Sequence, residues 1–328
     1  KFYNREKEIS LLHSLRAKSY TDHSRFTVIT GRRRIGKTSL IFQALNDEKI
    51  VYLFCAKKNE ALLCEKFCGE IAQKLGVFVP NMQDMSSIFH FLMQLGEQRQ
   101  FSLVIDEFQE FESINPSFFS DMQNYWDQYR RKTTINLIVC GSIYSMMKKI
   151  FTDRKEPLFG RADAIFELKP FSTDVLKEII QDNSSSYTND ELLALYTFTG
   201  GIPKYVELLV DNDALDVNSI IEQLCQANSP FLEEGRSMLI QEFGRNYQTY
   251  FSILQAVSNG FNTQAKIEQI LGGKSIGGQL KILEETYSLL KKKRPILAKT
   301  NTQTVKQAVA TAAALAVAPL NLVKNPFE

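Results

Sequence analysis

The sequence predicts an α/β fold: a parallel sheet with helices on both faces, followed by helix-rich segments. Three observations predict it. First, Gly31-Arg32-Arg33-Arg34-Ile35-Gly36-Lys37-Thr38 fits the phosphate-binding loop pattern G-x-x-x-x-G-K-[ST] at every fixed position. It lies between an apolar, β-branched run (26–30) and a helix-like segment (39–45). Second, a near-continuous apolar run, Phe101-Ser102-Leu103-Val104-Ile105, ends in Asp106-Glu107, as a buried parallel strand would. Third, strand-like and helix-like stretches alternate around these two, which implies a parallel sheet.

Taken in order, the strands are expected at 26–30, 49–55, 101–107, 135–140 and 164–168. Helical periodicity is expected at 39–45, 60–74, 87–97 and 118–131. The strand between the phosphate loop and the acids, together with a second acid after the first, predicts a P-loop NTPase sheet of the additional-strand type. It argues against a GTPase or a simple kinase.

The loop pattern carries its own chemistry. Backbone N–H groups and a helix N-terminus already fix partial positive charge where phosphate oxygens would sit. Gly31 and Gly36 let the backbone wrap closely, so Gly31, Arg34, Ile35, Gly36, Lys37, Thr38 and Ser39 are the candidate phosphate contacts. Lys37 suits the β- and γ-phosphates, and the Thr38 hydroxyl suits Mg²⁺. With average residue usage, a chance match in a chain of this length has a probability of roughly 1%. Asp106, at the carboxyl end of its strand, is the expected second holder of Mg²⁺. Glu107 is the candidate base that orients and deprotonates the attacking water. Acids after a strand also suit a helix N-cap; their pairing with the phosphate loop favours the metal and base roles.

Five stretches in this order resemble the prokaryotic AAA-family ATPases known as the archaeal ATPase family, relatives of the STAND and origin-recognition ATPases. They are Phe2-Tyr3-Asn4-Arg5-Glu6-Lys7-Glu8-Ile9, the phosphate loop, the Asp106-Glu107-Phe108-Gln109 segment, Leu158-Phe159-Gly160-Arg161-Ala162, and Thr199-Gly200-Gly201-Ile202-Pro203-Lys204-Tyr205. The resemblance spans about the first 300 residues. It implies ATP as ligand, Mg²⁺ as cofactor and phosphoanhydride hydrolysis as the activity. It also implies roles for single residues. Arg5 belongs to a box that lies near the adenine in such ATPases. Ser142 matches a sensor of the γ-phosphate, although Ser there also suits the N-cap of a following helix. Arg161 matches an arginine that touches the γ-phosphate of the same or a neighbouring subunit; the competing reading is a solvated loop arginine. Pro203 matches a lid proline that packs on adenine, although Gly-Gly before Pro is otherwise simply a turn.

Four domains are expected: a P-loop ATPase core at 1–168, a helical lid at 169–235, a winged helix-turn-helix at 236–300 and a tail of unknown role at 301–328. The lid rests on helical patterns at 175–181, 191–198, 205–210 and 219–227. The winged helix rests on an apolar helix at 250–258, a turn at Asn259-Gly260 and a helix at 263–271 capped by Asn262 or Thr263. A glycine turn and a third helix from Ser275 follow, then the basic run Lys291-Lys292-Lys293-Arg294-Pro295. Lys274, Ser275, Gln279 and Lys281 would face outward on that third helix, and the basic wing would hold phosphates of double-stranded DNA. The competing reading is a regulatory arm packed on the core, since a basic patch alone supplies only non-specific affinity. Beyond 306 an alanine-rich stretch favours helix up to Pro319. It has no acid-acid-Lys cluster, so no nuclease is expected.

Composition narrows the rest. The chain has 328 residues, 44% hydrophobic and 23% charged, with net charge +2, which argues for neither nucleic acid nor membrane globally. Five cysteines in no zinc spacing, with no signal peptide, read as reduced thiols in the cytoplasm. No apolar run reaches the roughly 18 residues a membrane span needs. His13, His23 and His90 form no catalytic set. Three functions stay open: a switch-type ATPase acting on a protein partner or a second copy, a slowly hydrolysing nucleotide switch, and an ATP-regulated DNA-binding protein.

Overall fold

The computed structural model describes residues 1–45, 49–184, 186–225, 240, 243–244, 247–286, 290–293 and 305–308. The chain divides into two compact units, one of Arg5–Lys169 and the other of Lys1–Asn4 with Pro170–Glu328.

The first unit is a five-stranded parallel sheet: β1 (Arg25–Thr30), β2 (Ile50–Phe54), β3 (Phe101–Asp106), β4 (Ile135–Gly141) and β5 (Ala164–Glu167), in the order β2-β3-β4-β1-β5. Strand β4 lies between the strand that leads into the phosphate loop and the strand that ends in the acids. Every position of β3 and β4 is buried, which is why both read as unbroken apolar runs. The pairing Thr30 with Gly141, Ile105 with Val139 and Phe54 with Asp106 brings the carboxyl ends of four strands level. Ligands of open α/β sheets bind at that edge.

Among the described residues seven α-helices accompany the sheet: α1 (Glu6–Thr21), α2 (Lys37–Ala44), α3 (Glu60–Leu75), α4 (Met85–Leu95), α5 (Phe111–Ile114), α6 (Phe118–Tyr129) and α7 (Tyr144–Thr152). The Asn59 side chain caps α3 by accepting from the Ala61 N–H, and Asp84 caps α4 by accepting from the Ser87 N–H. The Asp84 cap explains why α4 starts at Met85, ahead of the expected 87. Phe67, Ile71, Phe89, Phe108, Phe118 and Trp126 pack with β-strand residues into one core. Helix α1 follows Asn4 and Arg5, both in left-handed backbone, and carries Glu6 and Glu8 in its first turn.

The second unit is helical over Thr173–Asn183, Asn189–Thr199, Pro203–Asp211, Val217–Cys225, Tyr247–Ser258, Gln264–Ile270 and Gly277–Lys281. Asn189–Thr199 opens on a full capping box between Thr188 and Glu191. Gly201, at φ 71, leaves no room for a Cβ, which would sit 2.3 Å from the Phe171 carbonyl. A separate core gathers Tyr250, Ile253, Leu254, Ile267, Leu280 and Leu283. Thr263, rather than Asn262, caps Gln264–Ile270. Strands β6 (Leu290–Lys293) and β7 (Val305–Ala308) pair antiparallel. The return strand therefore falls at 305–308, past the expected boundary at 300, and Gln307 and Ala308 lie in it rather than in an alanine-rich helix. The expected segments at 226–239, 294–300 and 309–319 lie outside the described residues.

Candidate nucleotide site

The phosphate loop leaves β1 at Thr30 and enters α2 at Lys37. Gly31 has φ 150, and a Cβ there would approach the Leu168 carbonyl oxygen to 2.9 Å. Gly36 has φ 87 and forms the left-handed N-cap of α2. Arg34, at φ 65, is also left-handed, a costly conformation for a residue with a Cβ. Strain of this kind persists where surrounding structure fixes it, most often around a bound ligand. Ser39 lies in the first turn of α2, and Ile35 is buried beneath the loop. The Lys37 side chain is only 7% exposed as a residue, and its ammonium donates to the carbonyls of Gly31 at 2.8 Å and Arg32 at 3.1 Å.

Next to the loop lies Asp106, 4% exposed, at the end of β3. Four donors converge on its carboxylate. The Thr38 hydroxyl (2.9 Å) and the Tyr52 hydroxyl (2.6 Å) donate to Oδ2. The Cys140 thiol (2.9 Å) and the Glu107 N–H (2.8 Å) donate to Oδ1. Burial, then the hydrogen bond to Asp106, raises the Tyr52 phenol above its ordinary range. Burial, then the Asp106 charge, pushes the Cys140 thiol well up. Both therefore keep their protons and act as donors at neutral pH.

Glu107 follows in left-handed backbone, φ 54. Its Oε2 accepts from the Ser142 hydroxyl at 2.7 Å, the Ser142 N–H at 3.2 Å and the Gln109 side-chain amide at 2.6 Å. Ser142 therefore does not cap α7; the cap position is Ile143, which makes no side-chain cap bond. Thus Lys37, Thr38, Asp106, Glu107 and Ser142 meet at the carboxyl edge of β1, β3 and β4.

The remaining expected residues have the following surroundings. Arg161 donates to the Phe159 carbonyl at 2.9 Å and pairs with Asp127 of α6 at 3.0 Å. Arg5 is 4% exposed, donates to the Lys169 carbonyl at 2.6 Å and faces Glu8 at 3.5 Å. Pro203 is the first residue of its helix in the second unit. Sequence reasoning missed Tyr52, Cys140 and Gln109. Tyr52 and Cys140 reach Asp106 only through the pairing of β2 and β4 with β3, which no local pattern reports. Gln109 stood inside a recognised motif, two residues past Glu107, and spacing alone gave it no role.

The donor set suits a hydrated Mg²⁺. It offers one hydroxyl and one carboxylate, both hard oxygen ligands, and Mg²⁺ is normally held by one or two protein oxygens plus phosphate. Among the described residues no helix is long and apolar enough to cross a membrane.

Comparison with known proteins bears on the family and the fold. The chain is 27% identical over 273 residues to an uncharacterized protein of Methanocaldococcus jannaschii, covering 83% of this chain and 58% of that one. It thus spans little more than half the length of that curated relative. The Walker-type ATPase of Pyrococcus abyssi superposes with TM-score 0.68 at 20% identity, covering 96% of each chain. The Aeropyrum pernix ORC2 protein, solved as ADPNP–ADP complexes, superposes with TM-score 0.62 at 13% identity, covering 99% of this chain and 95% of that one. These likenesses establish the fold. Residues 2–209 match the model of an ATPase domain found predominantly in Archaea, and the chain belongs to that family.

Proposed function

We propose that the chain is a Mg²⁺-dependent ATPase whose nucleotide state switches the helical segments that follow the sheet. The observation that carries the proposal is the direct bond from Thr38 of the phosphate loop to Asp106 of β3. It joins the phosphate-binding and acidic halves of the machinery in one place. The loop N–H groups from Gly31 to Ser39 would bind the β- and γ-phosphates, with Lys37 exchanging its loop carbonyls for phosphate oxygens. Thr38 and Asp106 would hold Mg²⁺. A hydroxyl that donates to Asp106 keeps its lone pairs, so Thr38 can serve both partners at once. Mg²⁺ at that position neutralises charge on the phosphate oxygens. Glu107 would orient the attacking water and take its proton. Ser142 would link Glu107 to the γ-phosphate, consistent with its bond to Oε2. Arg161 would act on the γ-phosphate only after leaving Asp127. Arg5 and Pro203 would frame the adenine.

The helices from 169 to 235 would form a lid, and those beyond 236 a winged helix-turn-helix. Three short helices followed by the antiparallel β6–β7 pair support that reading. The same order favours a second function, ATP-regulated contact with double-stranded DNA. A protein partner or a second copy would receive the switch, in the cytoplasm. One experiment separates these: turnover of Mg²⁺-ATP with and without double-stranded DNA, for the protein, Lys37→Ala and Glu107→Gln. Hydrolysis that both substitutions abolish, with ATP binding kept in Glu107→Gln, supports the ATPase. Stimulation by DNA supports the second function. Tight ATP binding without turnover leaves a slow nucleotide switch and removes the hydrolytic role.

A further inference from the structure

We infer that Gln109 is the positioning residue for the Glu107 carboxylate, and that Gly141 is a glycine to make room for it. The inference rests on Glu107 acting as the base. A base at a left-handed, loop-borne position has a short, freely rotating side chain. It needs a fixed carboxylate plane if one oxygen is to meet a water held on the phosphate. The structure supplies that fixation on one side only. Among the described residues all three hydrogen bonds that the Glu107 carboxylate receives, two from Ser142 and one from Gln109, end on Oε2, and none touches Oε1. Clamped this way, Oε1 is the oxygen presented to the water.

Three further facts single out Gln109. It is 1% exposed, in the turn that directly follows Glu107. Its side-chain oxygen Oε1 is buried and accepts no hydrogen bond among the described residues. An amide is therefore held in a place where only its N–H₂ end is used, a costly choice for a residue that served packing alone. Finally, a Cβ on Gly141 would lie 2.2 Å from that oxygen, and 2.5 Å from the Met147 sulfur. Gly141 has ordinary backbone, so its missing side chain serves close approach and not a turn. Ser142, which follows it, supplies the other half of the clamp. The last residue of β4 and the residue after it thus contribute the space for Gln109 and the partner hydroxyl.

The test is a double-mutant cycle on ATP turnover. Gln109→Met keeps side-chain length and volume and removes the donor. Its kcat should fall about tenfold to a hundredfold, the usual effect of misplacing a reacting group, with KM and ATP affinity within about twofold of the parent. In a Glu107→Gln background the same substitution should change the residual turnover little, because the group it positions is already gone. Gln109→Glu, of nearly the same shape, should lose turnover as well by facing Glu107 with a second carboxylate, and it serves if the methionine variant folds poorly. Equal losses in both backgrounds, or loss of ATP affinity, would show a structural role and overturn the inference. Unchanged kcat in the folded variants would overturn it too. Full turnover in Glu107→Gln alone is a different failure: the base assignment falls, and the positioning role falls with it.

Discussion

Asp106 carries four hydrogen bonds on two oxygens, and each donor is tied to a different element: α2, β2, β4 and the turn after β3. A carboxylate so held has its plane and direction fixed before any metal arrives. The Tyr52 phenol is the donor from β2, and its ring packs tilted against Phe42 at 5.2 Å between centroids. Outer-sphere partners of metal ligands typically matter by about tenfold to a hundredfold. Tyr52→Phe should therefore raise the Mg²⁺ concentration for half-maximal turnover by about tenfold at the low end of that range, with little change in stability; a Mg²⁺ titration of turnover reads it. The buried thiols make a second expectation with a definite sign. Burial raises Cys55 and Cys140 well above the ordinary thiol range, and pushes Cys64 up to about 12, so thiolate is scarce at pH 8. Iodoacetamide at pH 8 should label Cys68, which is partly exposed, and spare these three until the protein is denatured. Mass mapping of the labelled peptides decides it, and early labelling of Cys140 would contradict its place behind Asp106.

At the scale of elements, the phosphate loop depends on one close approach. Gly31 combines φ 150 with a Leu168 carbonyl that a Cβ would meet at 2.9 Å, and the Leu168 N–H donates to the Thr30 carbonyl at 2.8 Å. The end of β5 is thus fastened to the start of the loop. Gly31→Ala must either shift that strand end or open the loop, at a cost of about 1–3 kcal/mol. Thermal melts should show the loss, and ATP affinity should fall with it. The elements also show what the sequence could reveal. All five strands were legible: β3 and β4 are buried on both faces, β1 and β2 carry consecutive β-branched residues, and β5 keeps the apolar pair Ile165-Phe166. The meeting of Lys37, Thr38, Asp106 and Glu107 at one sheet edge was legible because each stands at the end of a strand or the start of a helix that the local pattern marks. Helix α1 escaped because its apolar stripe is weak: only Leu12, Leu15 and Ser19 are buried along sixteen residues. Tyr52, Cys140 and Gln109 escaped because strand register and a buried amide are tertiary facts. The β7 return strand escaped because an alanine-rich flank has helical propensity, and pairing with β6 overrides it at 305–308.

Among the described residues the two compact units hold separate cores, among them one built on the sheet of Arg5–Lys169 and one around Tyr250, Ile253, Ile267 and Leu280 in the second unit. Separate cores predict separate cooperative transitions, so calorimetry without nucleotide should resolve two. The proposed binding residues from Gly31 to Ser142 all belong to the first unit, so a non-hydrolysable ATP analogue with Mg²⁺ must stabilise it. At a hundredfold excess over Kd the gain is about 2.7 kcal/mol, and Lys37→Ala should abolish it. The second transition then reports the switch. If Pro203 closes on the base, binding energy reaches the second unit and its transition rises with the first. Pro203→Ala should leave the first shift intact and return the second to its nucleotide-free position. A second transition that never moves in the parent protein would mean that ATP is sensed by the sheet unit alone, and the proposed coupling of nucleotide state to the helical segments would fail.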